Sequence, residues 1–118
     1  MVDARRIFGN SSEELAANYL IDLGYKIIER QYSNKLGEID LIALDGREIV
    51  FVEVKARKSK EFGYPEEAVT PHKLRKIGNT GLVYLRANGL ESSDYRIDVI
   101  AIEFYESPPK VTHLKAVY

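Results

Sequence analysis

The chain has 118 residues, no cysteine, two histidines and a formal net charge of −1. That length can bury a core without disulfides or a structural metal and fits a single domain over residues 1–118, while the missing thiols exclude disulfides, thiolate zinc sites and cysteine nucleophiles. No stretch approaches the roughly 20 apolar residues of a membrane span, and "MVDARRIFGNSSEE" lacks the apolar core of a signal peptide, so no membrane partner is expected and the cytoplasm is the expected location.

In chain order, "SSEELAANYLIDLG" (11–24) predicts a helix, with Ser11 and Glu14 spaced as a capping box and Gly24 as its stop. Leu15, Ala16, Tyr19, Leu20 and Leu23 form its apolar stripe. "YKIIERQY" (25–32) reads as a strand. "GEIDLIALDGREIVFVEVKAR" (37–57) reads as a hairpin turning at Asp45-Gly46. A polar loop, "KSKEFGYPEEAV", follows. Thr70 as N-cap and Pro71 at the first helical position then announce a second helix that stops at Gly89. Gly78 and Gly81 inside it cost roughly 1 kcal/mol each relative to alanine, which predicts close packing against another backbone. "YRIDVIAIEFY" (95–105) and "KVTHLKAVY" (110–118) complete the chain as strands. The order α-β-β-β-α-β-β describes an α/β fold with a central mixed sheet flanked by helices.

The hairpin carries the chemistry. Strand alternation puts Phe51, Glu53, Lys55 and Arg57 on one face of "VFVEVKAR" and Val50, Val52, Val54 and Ala56 on the other. Counting outward from an Asp45-Gly46 turn pairs Ile42 with Ile49, Asp40 with Phe51 and Glu38 with Glu53. Asp40 and Glu53 are then diagonal neighbours, with Lys55 two residues further along. From the residues alone this reads either as carboxylates converging on a cation or as a surface ion-paired through Lys55. His72 and His113 stand far apart, so carboxylates are the available metal ligands and the ion would be a hard cation.

"GEIDLIA" followed by "VFVEVKAR" resembles the PD-(D/E)XK nuclease superfamily, whose signature is an acid on one strand and Glu/Asp-X-Lys on the next. From about Phe8 to Tyr118, including "FGYPEEAVTPHK", "RIDVIAI" and "HLKAVY", the chain is similar to the YraN-like family of uncharacterised bacterial and archaeal proteins, itself similar to archaeal Holliday junction resolvases. The resemblance implies a restriction-endonuclease-like fold and metal-dependent hydrolysis of phosphodiester bonds in DNA, including branched or structured DNA. It implies that Asp40 and Glu53 hold Mg²⁺, with Mn²⁺ as a substitute. Lys55 would assist the attacking water, Glu13 would be an additional ligand and Glu38 would support the site. Resolvases work as two-fold dimers, which extends the expectation to a homodimer by analogy. Ile39 stands where the signature has proline, Ser12 where relatives often have glycine, and Gln31 where they often have asparagine. The alternative is a nucleic-acid-binding module that keeps the fold but cuts little or not at all.

Seven of the 17 basic residues fall in two short segments, Lys55, Arg57, Lys58 and Lys60, then Lys73, Arg75 and Lys76. Beyond Lys55, these are the expected phosphate contacts, the second group with helix N-terminal amides behind it. Asp98 is expected to pair with a basic residue, and both histidines to be structural.

Overall fold

The computed structural model describes residues 4–59 and 69–118, with side chains described from residue 11 onward. Its elements run α1 (Ala4–Asp22), β1 (Lys26–Asn34), β2 (Gly37–Asp45), β3 (Glu48–Arg57), α2 (Pro71–Ala87), β4 (Tyr95–Glu103) and β5 (Lys110–Leu114), the order expected from the sequence. The strands form one sheet in the order β1-β2-β3-β4-β5. β3 and β4 are parallel, joined through α2, and every other pair is antiparallel. The sheet is therefore mixed.

Each face of the sheet is covered by one helix. Ala16, Ala17 and Leu20 of α1 pack with Leu41, Ala43, Val50, Val52, Ile100 and Ile102. Ile77, Tyr84 and Leu85 of α2 pack with Ile42, Ile49, Phe51 and Ile97. β3 divides its even residues from its odd ones between these two cores, as the alternation predicts. The charged side of β3 is thus a second core at its Phe51 end, and only becomes polar at Glu53.

Two local expectations are corrected. α1 begins at Ala4, so Ser11 lies within the helix and caps nothing. Leu15 and Leu23 of the expected stripe are exposed, while Ala16 and Leu20 are buried as expected and Ser12 and Ala17 are buried with them. Ser12, Ala16 and Leu20 form an i, i+4, i+8 row on one face of α1, and Leu15 and Leu23 fall outside it.

α2 follows the prediction closely. Thr70 caps it, its hydroxyl accepting from the Lys73 N–H at 3.2 Å, and Pro71 opens it. Gly81 is required by packing, because an added Cβ would lie 2.7 Å from Cζ of the Phe51 ring. At Gly78 an added Cβ would make ordinary contacts, the nearest 3.6 Å from Tyr118, so the close approach expected there is absent.

On the α1 side, Asp98 is fully buried and accepts from Arg96 at 3.0 and 3.2 Å and from the Ala116 N–H at 2.9 Å. His113 Nε2 lies 2.8 Å from it. Arg96 also reaches Asp45 and Glu48 beside the β2–β3 turn, and the Tyr25 hydroxyl. Burial opposes ionisation of Asp98, but the Arg96, Ala116 and His113 contacts hold its carboxyl below the usual range. This network ties the start of β4, the hairpin turn and the C-terminal segment together. It accounts for the basic partner expected for Asp98 and for the structural role of His113.

Candidate functional site

The hairpin register differs from the one counted from the sequence. Asp45 pairs with Glu48, Leu44 with Ile49 and Ile42 with Phe51, so the two loop residues are Gly46 and Arg47. Gly46 has φ +62° and occupies the first loop position, where a type II′ turn needs positive φ. Shifting the turn by one residue keeps the loop even and the faces unchanged. It brings Asp40, rather than Glu38, level with Glu53 when the register is continued. Glu38 pairs with Ser33 on β1 instead.

The ladder between β2 and β3 ends at Leu41 and Val52. Just beyond it, the Asp40 carboxylate accepts from the Val54 N–H at 2.8 Å, giving a partner to a backbone donor at the end of the ladder. Alternation along β2 also breaks here, since Ile39 packs beneath α2 while Leu41 packs beneath α1. The β1 register places Gln31 level with Asp40, and Gln31 has φ +52°, a conformation that non-glycine residues seldom adopt. Both strands are distorted at one level of the sheet. Such distortion concentrates where side chains are aimed for function.

This break makes Asp40 reachable from both helix layers. Toward α2, Asp40, Glu53, Glu38, Lys73 and Lys76 line an open cavity of about 590 Å³. Toward α1, a second cavity of about 320 Å³ is lined by Asp40, Glu38, Glu13 and Gln31. Gln31 Nε2 donates to Glu13 Oε2 at 2.8 Å, which orients Glu13 toward the strands. Lys55 Nζ lies 3.4 Å from Glu53 Oε1, both side chains about a quarter exposed. Asp40, Glu53, Glu13 and Glu38 therefore line the two cavities at this break in the sheet, and Lys55 adjoins them through Glu53 without lining either.

The electrostatics record that crowding. Burial, and then the charge of Glu53, push the Asp40 carboxyl up to about 6, against the opposing pull of the Val54 N–H and Lys55. Burial also raises Glu13, partly offset by the Gln31 hydrogen bond and reinforced by the Asp40 charge. Burial disfavours the Lys55 ammonium, but the adjacent Lys73 amine and the Glu53 and Asp40 carboxylates together hold its pKa above the ordinary lysine value. Lys73 is lowered, chiefly by its contact with Lys55.

The donor set suits a hard cation that keeps most of its waters. Among the described residues, no three His, Asp or Glu side chains form a metal-binding group by themselves. Asp40 and Glu53 present carboxylate oxygens at one cavity, and Mg²⁺ is commonly bound by one or two carboxylates plus substrate phosphate. Desolvated, mutually repelling carboxylates have much to gain from a cation.

The basic residues divide. Lys73 and Lys76 line the carboxylate cavity, and Arg57 is close enough to act electrostatically on Lys73. Lys76 also joins Arg75, His72, Asn79 and Leu36 around a neighbouring cleft of about 380 Å³. Lys58 is exposed beyond the end of β3, and Lys60 and most of "FGYPEEAV" lie outside the described residues. Sequence reasoning missed the β1–β2 hairpin tip, Asn34 to Gly37, which lines the carboxylate cavity. "SNKLG", an asparagine and a glycine around two residues, was the signal available for it.

A model of the family described as "Uncharacterised protein family UPF0102" matches residues 12–102. The chain belongs to the UPF0102 family. This is the YraN-like family that the sequence resembles. UPF0102 proteins similar to it include one from Caldanaerobacter subterraneus subsp. tengcongensis, 45% identical over 108 residues, 92% of this chain and 87% of the relative. Another, from Geobacter sulfurreducens, is 42% identical over 110 residues, covering 92% and 86%. One from Syntrophomonas wolfei is 41% identical over 109 residues, covering 92% and 95%. The UPF0102 match includes every site acid and Lys55, from Glu13 through Glu53.

Proposed function

We propose that this UPF0102 protein is a metal-dependent nuclease that hydrolyses phosphodiester bonds in DNA, with branched or structured DNA among its substrates. The observation that carries this reading is Asp40 at the break in the sheet, desolvated and sharing an open cavity with Glu53 and three lysines, Lys35, Lys73 and Lys76. Asp40 and Glu53 would hold Mg²⁺ or Mn²⁺, with Glu13 available from the α1 side. A bound ion would polarise the phosphate and make a coordinated water more acidic.

The protein's own groups do the rest. Lys55, kept protonated beside Glu53, supplies positive charge where negative charge builds on the attacked phosphate. Lys73 and Lys76 at the start of α2 hold flanking phosphates and orient the strand across the cavity. Rigid strands hold Glu53 and Lys55 in fixed relation, which a loop would not do as well.

A binding module with little cleavage is the second reading, favoured by the three lysines that line the cavity beside the carboxylates. The test is incubation with linear, single-stranded, flap and four-way-junction DNA in Mg²⁺, Mn²⁺ or EDTA. Cleavage that needs the metal and disappears in Asp40→Asn and Lys55→Ala supports the enzyme. Retention of DNA without cutting under every condition supports the module.

A further inference from the structure

The β1–β2 hairpin tip carries a feature that phosphate contacts leave unused. Leu36 is 49% exposed at the apex, between exposed Lys35 and half-buried Gly37. A single exposed leucine is ordinary on a protein surface, so its placement has to carry the argument. Leu36 lines both the carboxylate cavity and the neighbouring cleft of Arg75 and Lys76. It is an apolar point between two recesses, with lysines and an arginine around it.

The tip is also held stiffly. Asn34 Oδ1 accepts from the Leu36 N–H at 2.9 Å, while Asn34 Nδ2 donates to the Tyr32 hydroxyl at 3.1 Å and to the Thr80 carbonyl of α2 at 3.2 Å. Gly37 lies so close to α2 that an added Cβ would meet Thr80 Oγ1 at 2.9 Å. The leucine is therefore presented on a braced turn whose position relative to Asp40 is set by α2.

We propose that Leu36 is a wedge that enters a base step of bound DNA and unstacks it, placing the adjoining phosphate in the carboxylate cavity. This rests on the nuclease reading and deepens it by naming the favoured substrate, DNA whose stacking is already interrupted. Apolar side chains inserted between base steps are a recurrent way of opening and kinking a duplex. Lys35, Lys73, Arg75 and Lys76 supply the charge that draws a phosphate backbone to the tip, so a nucleic acid fits this surface better than an apolar protein segment would.

The experiment uses the full chain in EDTA with DNA carrying 2-aminopurine at successive positions, either fully paired, gapped or at a four-way junction. Saturating wild-type protein should raise the fluorescence at one step, and Leu36→Ala should abolish that rise. The substitution removes the same apolar contact from both DNAs but spares the variant the cost of unstacking only on fully paired DNA, so it should weaken binding to the gapped DNA more than binding to the paired DNA. Leu36→Met should restore the signal, and unchanged melting temperatures would show that both variants fold. DNA that binds at saturation with no fluorescence rise, or with the same rise in Leu36→Ala, overturns the wedge and leaves the nuclease reading standing. Failure to bind any of the DNAs overturns both.

Discussion

Replacing Asp40 by asparagine isolates what the ionised carboxylate costs the fold. Burial and the Glu53 charge raise this group from 3.8 to about 6. A folded pKa above the unfolded one means that the native state binds the proton more tightly, so ionisation weakens folding as pH rises through the interval between them. A shift of about two units withholds about 3 kcal/mol at pH 7 and above, about half of that near pH 5, and little by about pH 4. Asparagine keeps an oxygen that can accept from the Val54 N–H without the charge. Asp40→Asn should therefore stabilise the metal-free protein by about 1 to 3 kcal/mol at pH 7.5, or about 4 to 12 °C for a chain of this size. The gap should close by pH 4. Mg²⁺ at about a hundredfold excess over its dissociation constant should raise the wild type by about 2.7 kcal/mol and leave the variant where it was. Thermal melts between pH 4 and 8, in EDTA and in Mg²⁺, measure all of this. A variant less stable than wild type at pH 7.5 in EDTA, or a gap indifferent to pH, would refute the electrostatic argument. An equal response of both proteins to Mg²⁺ would remove Asp40 as a ligand.

Gly81→Ala should lose about 1 to 3 kcal/mol from its collision with Phe51 despite the better helix propensity, whereas Gly78→Ala should be neutral or gain up to about 1 kcal/mol. Urea titration of the pair tests the contrast, and equal effects would sink it. Asp98→Ala should cost about 3 kcal/mol or more, because it leaves the Ala116 N–H and part of the Arg96 guanidinium without their buried acceptor. With its pKa depressed, Asp98 contributes stability above the ordinary carboxylate range that is lost as pH falls through its folded pKa, so wild type and Asp98→Ala should converge in acid. Removing the charge of Lys73, Arg75 or Lys76 should lower the salt dependence of DNA binding by about one unit of slope per lost contact, and an unchanged slope would return that residue to the solvated surface.

The element order, the α2 cap at Thr70, the stops near Gly24 and Gly89 and the two faces of β3 were legible along the chain, because caps, turns and alternation are local properties of backbone and side chain. Ser11 and Glu14 matched a capping box by spacing alone, and the helix ran through them because residues before them continued it. The turn register missed by one position, since Asp45-Gly46 and Gly46-Arg47 both offer a glycine and only the pairing of whole strands selects between them. Glu53 and Lys55 could be placed on one face in sequence by alternation along β3, whereas the parity argument for Asp40 stops at the break in β2, where alternation is lost. What the tertiary structure alone decided was the break at Asp40 and Gln31. It opens the carboxylates to both helix layers, brings Glu13 from α1 and Lys73 from α2 to the same place, and braces the Leu36 tip against Thr80. Those relations join residues far apart in sequence, 46 positions in the case of Asn34 and Thr80, through packing and desolvation, and no local pattern in the chain encodes them.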